Sequence, residues 1–139
     1  MIKTMMKQLL DTIQPDLTPE QVAAAVNNYL DSWRNGDSQA RAALFSDHAV
    51  VEDPVGAPAI EGKTALLAFW QRAAAYPTRF DPKLESIVVC GNEAIVKFSM
   101  HMDVVGIASG TLQIIENFRL DKSGKIAQLR AFWDENSVS

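Results

Sequence analysis

Tyr29, Asp53 and Glu116 are the residues of this chain whose types and settings could do proton-transfer chemistry. Asp53 lies in Val51-Glu52-Asp53-Pro54-Val55-Gly56, where an apolar run ends in two acids and a proline and a glycine break the chain. Proline lacks an N–H and biases the residue before it towards extended backbone, so Asp53 is expected to end a strand. A carboxylate at the rim of a core, just before a turn, suits a general base; the plainer alternative is that Asp53 forms the turn. Glu116 falls between Ile114 and Phe118 on the apolar face of an alternating segment that also carries Leu112 and Leu120. An isolated charge there would be costly, so the carboxyl must be paired, hydrated or protonated, and desolvation favours the neutral acid. The alternatives are a bulge that turns Glu116 to solvent, or a shielded salt bridge. Tyr29 belongs to a helical stripe with Val22, Val26, Leu30 and Trp33, and its inward hydroxyl needs a partner. Three polar groups aimed inward from separate elements make a candidate site in an apolar pocket.

The elements that must hold these groups are legible in order. Thr18-Pro19-Glu20-Gln21 starts a helix with a capping box and proline at the first turn, and Asn35-Gly36 ends it. Asp37 or Ser38 caps a second, shorter helix expected to contain Leu44 and Phe45. A strand ends at Asp53, a loop runs over 54–62, and a third helix is predicted from about Thr64 to Tyr76, stopped by Pro77. From Arg79 the period becomes two. Leu84 to Cys90 reads as a strand, Gly91-Asn92 as a hairpin turn, and Ala94, Val96, Phe98, Met100, Met102 and Val104 alternate with polar residues. Thr111 to Leu120 and Lys125 to Trp133 complete an antiparallel meander. Helices first and strands afterwards predict an α+β domain, with the helices on one face of an antiparallel sheet.

Composition bounds the rest. With 139 residues, 47% hydrophobic and 22% charged, the chain is expected to be one globular domain, residues 17–139, behind an N-terminal extension, residues 1–16. Ile2, Met5, Met6, Leu9, Leu10 and Ile13 recur at helical spacing and predict an amphipathic helix, packed on the body or on a partner subunit. It has neither the continuous apolar centre nor the cleavage site of a signal peptide, and a cytoplasmic protein is expected. A net charge of −4 without a basic cluster argues against a nucleic-acid partner, and no apolar run approaches the ~20 residues of a membrane span. Cys90 stands alone, which excludes an internal disulfide, and beside a hairpin turn it reads as packing. His48 and His101 have no ligand spacing between them, so no metal site is expected.

Taken together, VEDPVG, Tyr29 followed by Gly36-Asp37, and Ile115-Glu116-Asn117-Phe118-Arg119-Leu120 resemble the ketosteroid isomerase family. That family has the nuclear transport factor 2-like fold, and the likeness runs from Val22 to Trp133 with the spacing between the three positions kept. The resemblance implies a strongly curved sheet around a cone-shaped pocket, and an enzyme that needs no cofactor. Asp53 would move a proton from the α-carbon to the γ-carbon of an unsaturated ketone, while Tyr29 and neutral Glu116 hydrogen-bond the oxyanion. Val22, Val26, Phe69 and Trp70 would line or back a pocket for a flat, apolar, steroid-like ketone, together with Phe98, Met100, Phe118 and Trp133. A homodimer is also implied, with Ile115, Leu129 and Ala131 interrupting the polar residues of the exposed sheet face. Two departures stand out: the second oxyanion donor is glutamic rather than aspartic acid, and Trp70 stands where a supporting tyrosine is common.

Other activities occur on the same fold. An epoxide hydrolase would need an arginine between two acids, and alternation sends Arg119 to the face opposite Glu116. A polyketide cyclase could use the same base and pocket, and a non-catalytic binding domain could keep the pocket alone.

Overall fold

The computed structural model describes all 139 residues, Met1–Ser139. Four α-helices and six strands follow one another as α1 (Ile2–Leu10), α2 (Pro19–Arg34), α3 (Ser38–Ala43), β1 (Phe45–Glu52), β2 (Ile60–Glu61), α4 (Lys63–Ala73), β3 (Thr78–Cys90), β4 (Glu93–Val104), β5 (Ala108–Leu120) and β6 (Ile126–Phe132). A short 3₁₀ turn, Glu135–Ser137, follows. The strands form one curved, unclosed sheet in the order β2-β1-β6-β5-β4-β3. Register shifts in the β1–β6, β3–β4 and β5–β6 pairs bend it, because a bulged residue increases local twist and turns the strand.

The start of α2 is built as its sequence implies. Thr18 Oγ1 accepts from Gln21 N, and Gln21 Oε1 accepts from Thr18 N in return, with Pro19 in the first turn. Val22, Val26, Tyr29 and Leu30 are buried along one stripe, and the Arg34 guanidinium donates to the Pro82 carbonyl on β3. Pro82 is tolerated within a strand because β3 is at the sheet edge. The core face of the sheet is supplied by Val96, Phe98 and Met100 of β4, Ile114, Glu116 and Phe118 of β5, and Leu129 and Ala131 of β6.

Four expectations need correction. The sheet is mixed rather than wholly antiparallel, since β1 runs parallel to β6. The four-strand meander β3 to β6 reverses direction three times, and its last strand then runs the same way as β1 beside it. The second helix ends at Ala43, and Phe45 opens β1 opposite Ile126, whose N–H donates to the Leu44 carbonyl at 2.8 Å. Pairing with β6 and full burial of the Phe45 ring outweigh helix propensity there. Helix α4 stops at Ala73, before the predicted Tyr76. Finally, Leu129 and Ala131 are fully buried, so they are no part of an outer face. Alternation in β6 puts them on the side of Trp133 and sends Phe132 outwards; Ile115 is 45% exposed as expected. Helix α1, for its part, buries none of its residues against the body.

These positions predict unequal costs of truncation. Leu129→Ala should lower the free energy of unfolding by about 2–5 kcal/mol, the range for deleting a buried leucine side chain. Ile115→Ala, on the outer face, should cost under about 1 kcal/mol. Urea denaturation of the two variants checks this, and equal costs would contradict the assigned faces.

Candidate active site

Tyr29 from α2, Asp53 from the end of β1 and Glu116 from the middle of β5 line a single cavity of about 170 Å³. Its other walls are apolar, among them Trp33, Phe69, Phe80, Phe98, Met100 and Trp133. Tyr29, Glu116, Phe98, Met100 and Ile114 are buried, whereas Phe69, Met102, Leu112 and Trp133 are partly exposed and Ala73 is exposed. The polar groups Tyr29 and Glu116 are therefore at the deep end, and the rim is greasy. The volume is below the roughly 300–1,000 Å³ of drug-sized sites. It suits the carbonyl end of a ligand whose remainder stays at the apolar rim. A wider depression of about 450 Å³ lies on the outer face by Val88, Ile95 and Phe132. It holds none of the buried titratable groups, and size alone is no reason to prefer it.

Each side chain is aimed by its local structure. β1 alternates, so Glu52 points outwards to an ion pair with Arg130 Nε at 3.1 Å, and Asp53 turns to the cavity. The Asp53–Pro54 peptide is cis, Val55 N donates to the Ala131 carbonyl at 2.9 Å, and Gly56 has a φ of 101°, which a glycine adopts freely. The loop is thus tied to β6. Trp133, just beyond β6, donates its indole N–H to Asp53 Oδ1 at 2.8 Å. The Tyr29 ring is held edge-on by Phe118, Phe45 and Trp33, with centroid separations of 5.3, 5.9 and 6.3 Å. Glu116 has no such support. It is 3% exposed, and its Oε1 is buried without a hydrogen-bond partner.

These environments separate the protonation states. Burial, with the negative charge of Asp53 as a smaller contribution, pushes the Glu116 carboxyl well above the ordinary glutamate value. Burial also raises Asp53, but the Trp133 hydrogen bond pulls it back down by stabilising the carboxylate. Burial pushes Tyr29 well up, as do Glu116 and Asp53, while Trp33 and Arg41 act in the opposite direction. The environments therefore favour the charged form at Asp53 more than at Glu116, and the neutral form at Glu116 and Tyr29. A base beside two donors can take a proton from a C–H and hold the charge that develops on a neighbouring oxygen.

Of the apolar residues expected at the pocket, Phe69, Phe98, Met100 and Trp133 line the cavity. Val22, Val26, Trp70 and Phe118 do not; they are buried behind it. Trp70, which stands where a supporting tyrosine is common, packs its ring on Phe45 at 5.3 Å instead. Sequence reasoning missed the indole bond to Asp53 and the wall formed by Trp33 and Phe80. Trp33 is one helical turn from Tyr29, which was the available signal. Arg119 is exposed and donates to Gln128 Oε1 at 3.2 Å, away from the cavity, as alternation required.

Glu116 has a consequence for stability. In the unfolded chain it ionises near its ordinary value of 4.5, while in the folded protein it stays protonated well above that. Unfolding between those two values releases a proton, so its stabilising contribution is present below pH 4.5 and is lost as pH rises through the folded value. Glu116→Gln removes this slope. Urea titrations of both proteins should show the variant gaining stability relative to wild type as pH rises from 4 to 9, and a constant difference would refute a neutral Glu116.

Residues 26–129 match the SnoaL-like domain family. A steroid Delta-isomerase of Nocardioides simplex is 32% identical over 113 residues, which cover 81% of this chain and 89% of that protein. Among solved structures, the epoxide hydrolase/cyclase-like enzyme SalBIII, studied for pyran ring formation in polyether salinomycin, superposes with a TM-score of 0.74 at 23% identity. That match covers 86% of this chain and 95% of SalBIII. Rv0760c of Mycobacterium tuberculosis gives a TM-score of 0.77 at 21% identity, over 86% of this chain and 98% of its own. The latter two speak for the fold alone. On the strength of the domain match and the 32% identical isomerase, the chain belongs to the SnoaL-like family, with the nuclear transport factor 2-like fold and the steroid Delta-isomerases among its relatives.

Proposed function

We propose that the protein is a cofactor-independent isomerase that moves a C=C bond into conjugation with the carbonyl of a steroid-like or other apolar ketone. The observation that carries this is the pairing of a cavity-facing, indole-bonded Asp53 with a buried, unpartnered Glu116 carboxyl. The ketone enters carbonyl first, so that its oxygen meets the Tyr29 hydroxyl and the Glu116 carboxylic acid at the deep end. Asp53 takes a proton from the carbon between the carbonyl and the double bond, and the C–H electrons move to the oxygen as a dienolate. Tyr29 and Glu116 donate hydrogen bonds to that oxygen. Asp53 then returns the same proton to the γ-carbon, and the electrons flow back from the oxygen to leave the conjugated enone. No proton is gained or lost overall.

Removing solvent from the cavity strengthens both donors, since they act in a medium of low dielectric constant. The Trp133 indole has a second use here. It favours the ionised base against the opposing effect of burial, while leaving the other carboxylate oxygen free for the substrate proton.

A β,γ-unsaturated 3-ketosteroid, with the conjugated enone followed by absorbance, tests this directly. Asp53→Asn should lower kcat by about 10²–10⁴-fold, the usual contribution of a general base. Tyr29→Phe and Glu116→Gln should each cost about 10²–10³-fold, as loss of one oxyanion donor does. In wild type, kcat/KM should rise with pH as Asp53 ionises, above its ordinary value of 3.8, and fall where Glu116 ionises. Glu116→Gln should lose the alkaline fall and keep the acidic rise. Absence of turnover in wild type, with tight binding of a phenolic steroid that mimics the dienolate, would reject the isomerase in favour of a cyclase or a binding domain.

We further propose a homodimer through the outer face of the sheet. Val88 and Ile95 are cross-strand neighbours there, as are Ile115 and Phe132, and all four are exposed in the single chain. The two pairs are offset by two residues, since Ile95 faces Asn117 and Ile115 faces Lys97, and together they make an apolar patch that an interface between copies would cover. Ile95→Glu should convert a dimer to a monomer in sedimentation velocity, and a wild-type monomer at high concentration would reject the pairing.

A further inference from the structure

A second cavity, of about 230 Å³, lies beyond the Trp33–Phe80 wall, and a buried cation faces it. Arg41, on α3, is only 3% exposed, and yet it takes part in none of the ion pairs of the molecule. Its guanidinium lies over the Trp33 ring at 3.5 Å from the centroid, with the Trp70 ring at 5.1 Å. Nε donates to Ser32 Oγ and Nη2 to the Ser32 carbonyl, each at 3.0 Å. A guanidinium has five N–H groups, so these two bonds leave the Nη1 pair and one N–H of Nη2 without a protein acceptor. The carboxylate whose charge acts on Arg41 is Asp37, but it makes no ion pair with the guanidinium: it is exposed and accepts from Ala40 N at 2.9 Å as the cap of α3. The titratable groups acting on Arg41 are thus Tyr29, which is neutral, and Asp37, one helical turn away at the cap of α3. Burial pulls the guanidinium down to about 10, as expected of a cation lacking a partner.

We propose that this second cavity is a carboxylate-binding subsite, in which the free fork of Arg41 receives the carboxylate of a small apolar acid. The Nη1 and Nη2 edge presents parallel N–H groups in the plane of the guanidinium, a geometry that fits the two oxygens of a carboxylate. One negative charge balances one positive charge. A phosphate, with about 1.5–2 negative charges at neutral pH, would leave an excess among apolar walls. The apolar part of the lining is Trp33, Trp70, Ala74, Pro77 and Phe80, and Ser38, Tyr76 and Thr78 add hydroxyls at its edge. The volume is below that of sites for drug-sized molecules, which favours a short-chain acid over a fused-ring one. The occupant would press on Trp33, the ring that separates it from the Tyr29 cavity. The site does not depend on the isomerase chemistry, and its acid could be a free metabolite or the acidic arm of a larger ligand.

The probe is sodium butyrate, titrated into the wild-type protein at constant ionic strength. The ¹⁵N-bound guanidinium protons of Arg41 and the tryptophan fluorescence are followed. Saturable shifts of the Arg41 signals are expected, well beyond any at exposed Arg72, with no response to butyramide and no fluorescence change in Arg41→Gln. The wild-type spectra decide the matter even if that variant fails to fold. Arg41 signals that stay still, that drift in proportion with those of Arg72, or that respond equally to butyramide would reduce the residue to a stacking element. Tighter binding of inorganic phosphate than of butyrate would overturn the carboxylate assignment. Saturation by butyrate but not by a longer dicarboxylate would assign the site to a free short acid, and binding of both would assign it to an acidic arm.

Discussion

A carboxyl group at the centre of a strand, inside an apolar core, is the constraint around which this molecule is arranged. Glu116 lies between Ile114 and Phe118 on the buried face of β5, with one oxygen left without a partner. A charged carboxylate in that position would destabilise the fold by several kcal/mol, so the group stays protonated. An unmade hydrogen bond to a buried polar atom costs about 1–3 kcal/mol, and a fold optimised only for stability would replace Glu116 with an apolar residue. What the arrangement provides instead is an O–H donor whose desolvation precedes ligand binding, which is the condition for strong stabilisation of an oxyanion.

Asp53 is the counterpart, and the two acids differ in solvation rather than in chemistry. Asp53 is at a strand end with an indole N–H on one oxygen, which favours its charged form. Glu116 is at a strand centre with nothing on Oε1, which favours its neutral form. Each also disfavours a second charge nearby, so ionisation of one sustains protonation of the other. The difference in protonation between the two acids thus follows from where the strand ends and where it continues.

How much of this could be read from the sequence depended on the length over which a pattern repeats. Period two in β5 holds from Leu112 to Leu120 and sufficed to put Glu116 inside. The sixteen residues of α2 did the same for Tyr29. In β6 the same rule was available but misapplied: Trp133 inward requires Leu129 and Ala131 inward as well, leaving Phe132 as the outward apolar residue. Helix α3 has six residues, too few to define a face, so nothing marked Arg41 as buried. The parallel pairing of β1 with β6 joins segments about eighty residues apart, and local patterns carry no information about strand direction. The Trp133–Asp53 bond is as remote in sequence and became visible only when that pairing brought β1 and β6 together.

The molecule keeps two buried groups of opposite character, Arg41 and Glu116, without letting them pair. A direct ion pair would remove both from use, since each would satisfy the other and neither could receive a ligand. Tyr29 lies between their influences: Glu116 raises its pKa and Arg41 lowers it. The aromatic wall of Trp33 and Phe80 maintains the separation, lining the Glu116 cavity on one side and the Arg41 cavity on the other. Trp33 can serve both sides because its faces differ in use. One face stacks with a guanidinium, while the ring meets Tyr29 edge-on at 77°. A shift of that one ring would therefore be felt in both cavities at once, which makes Trp33 the physical link between the Glu116 cavity and the cation behind it.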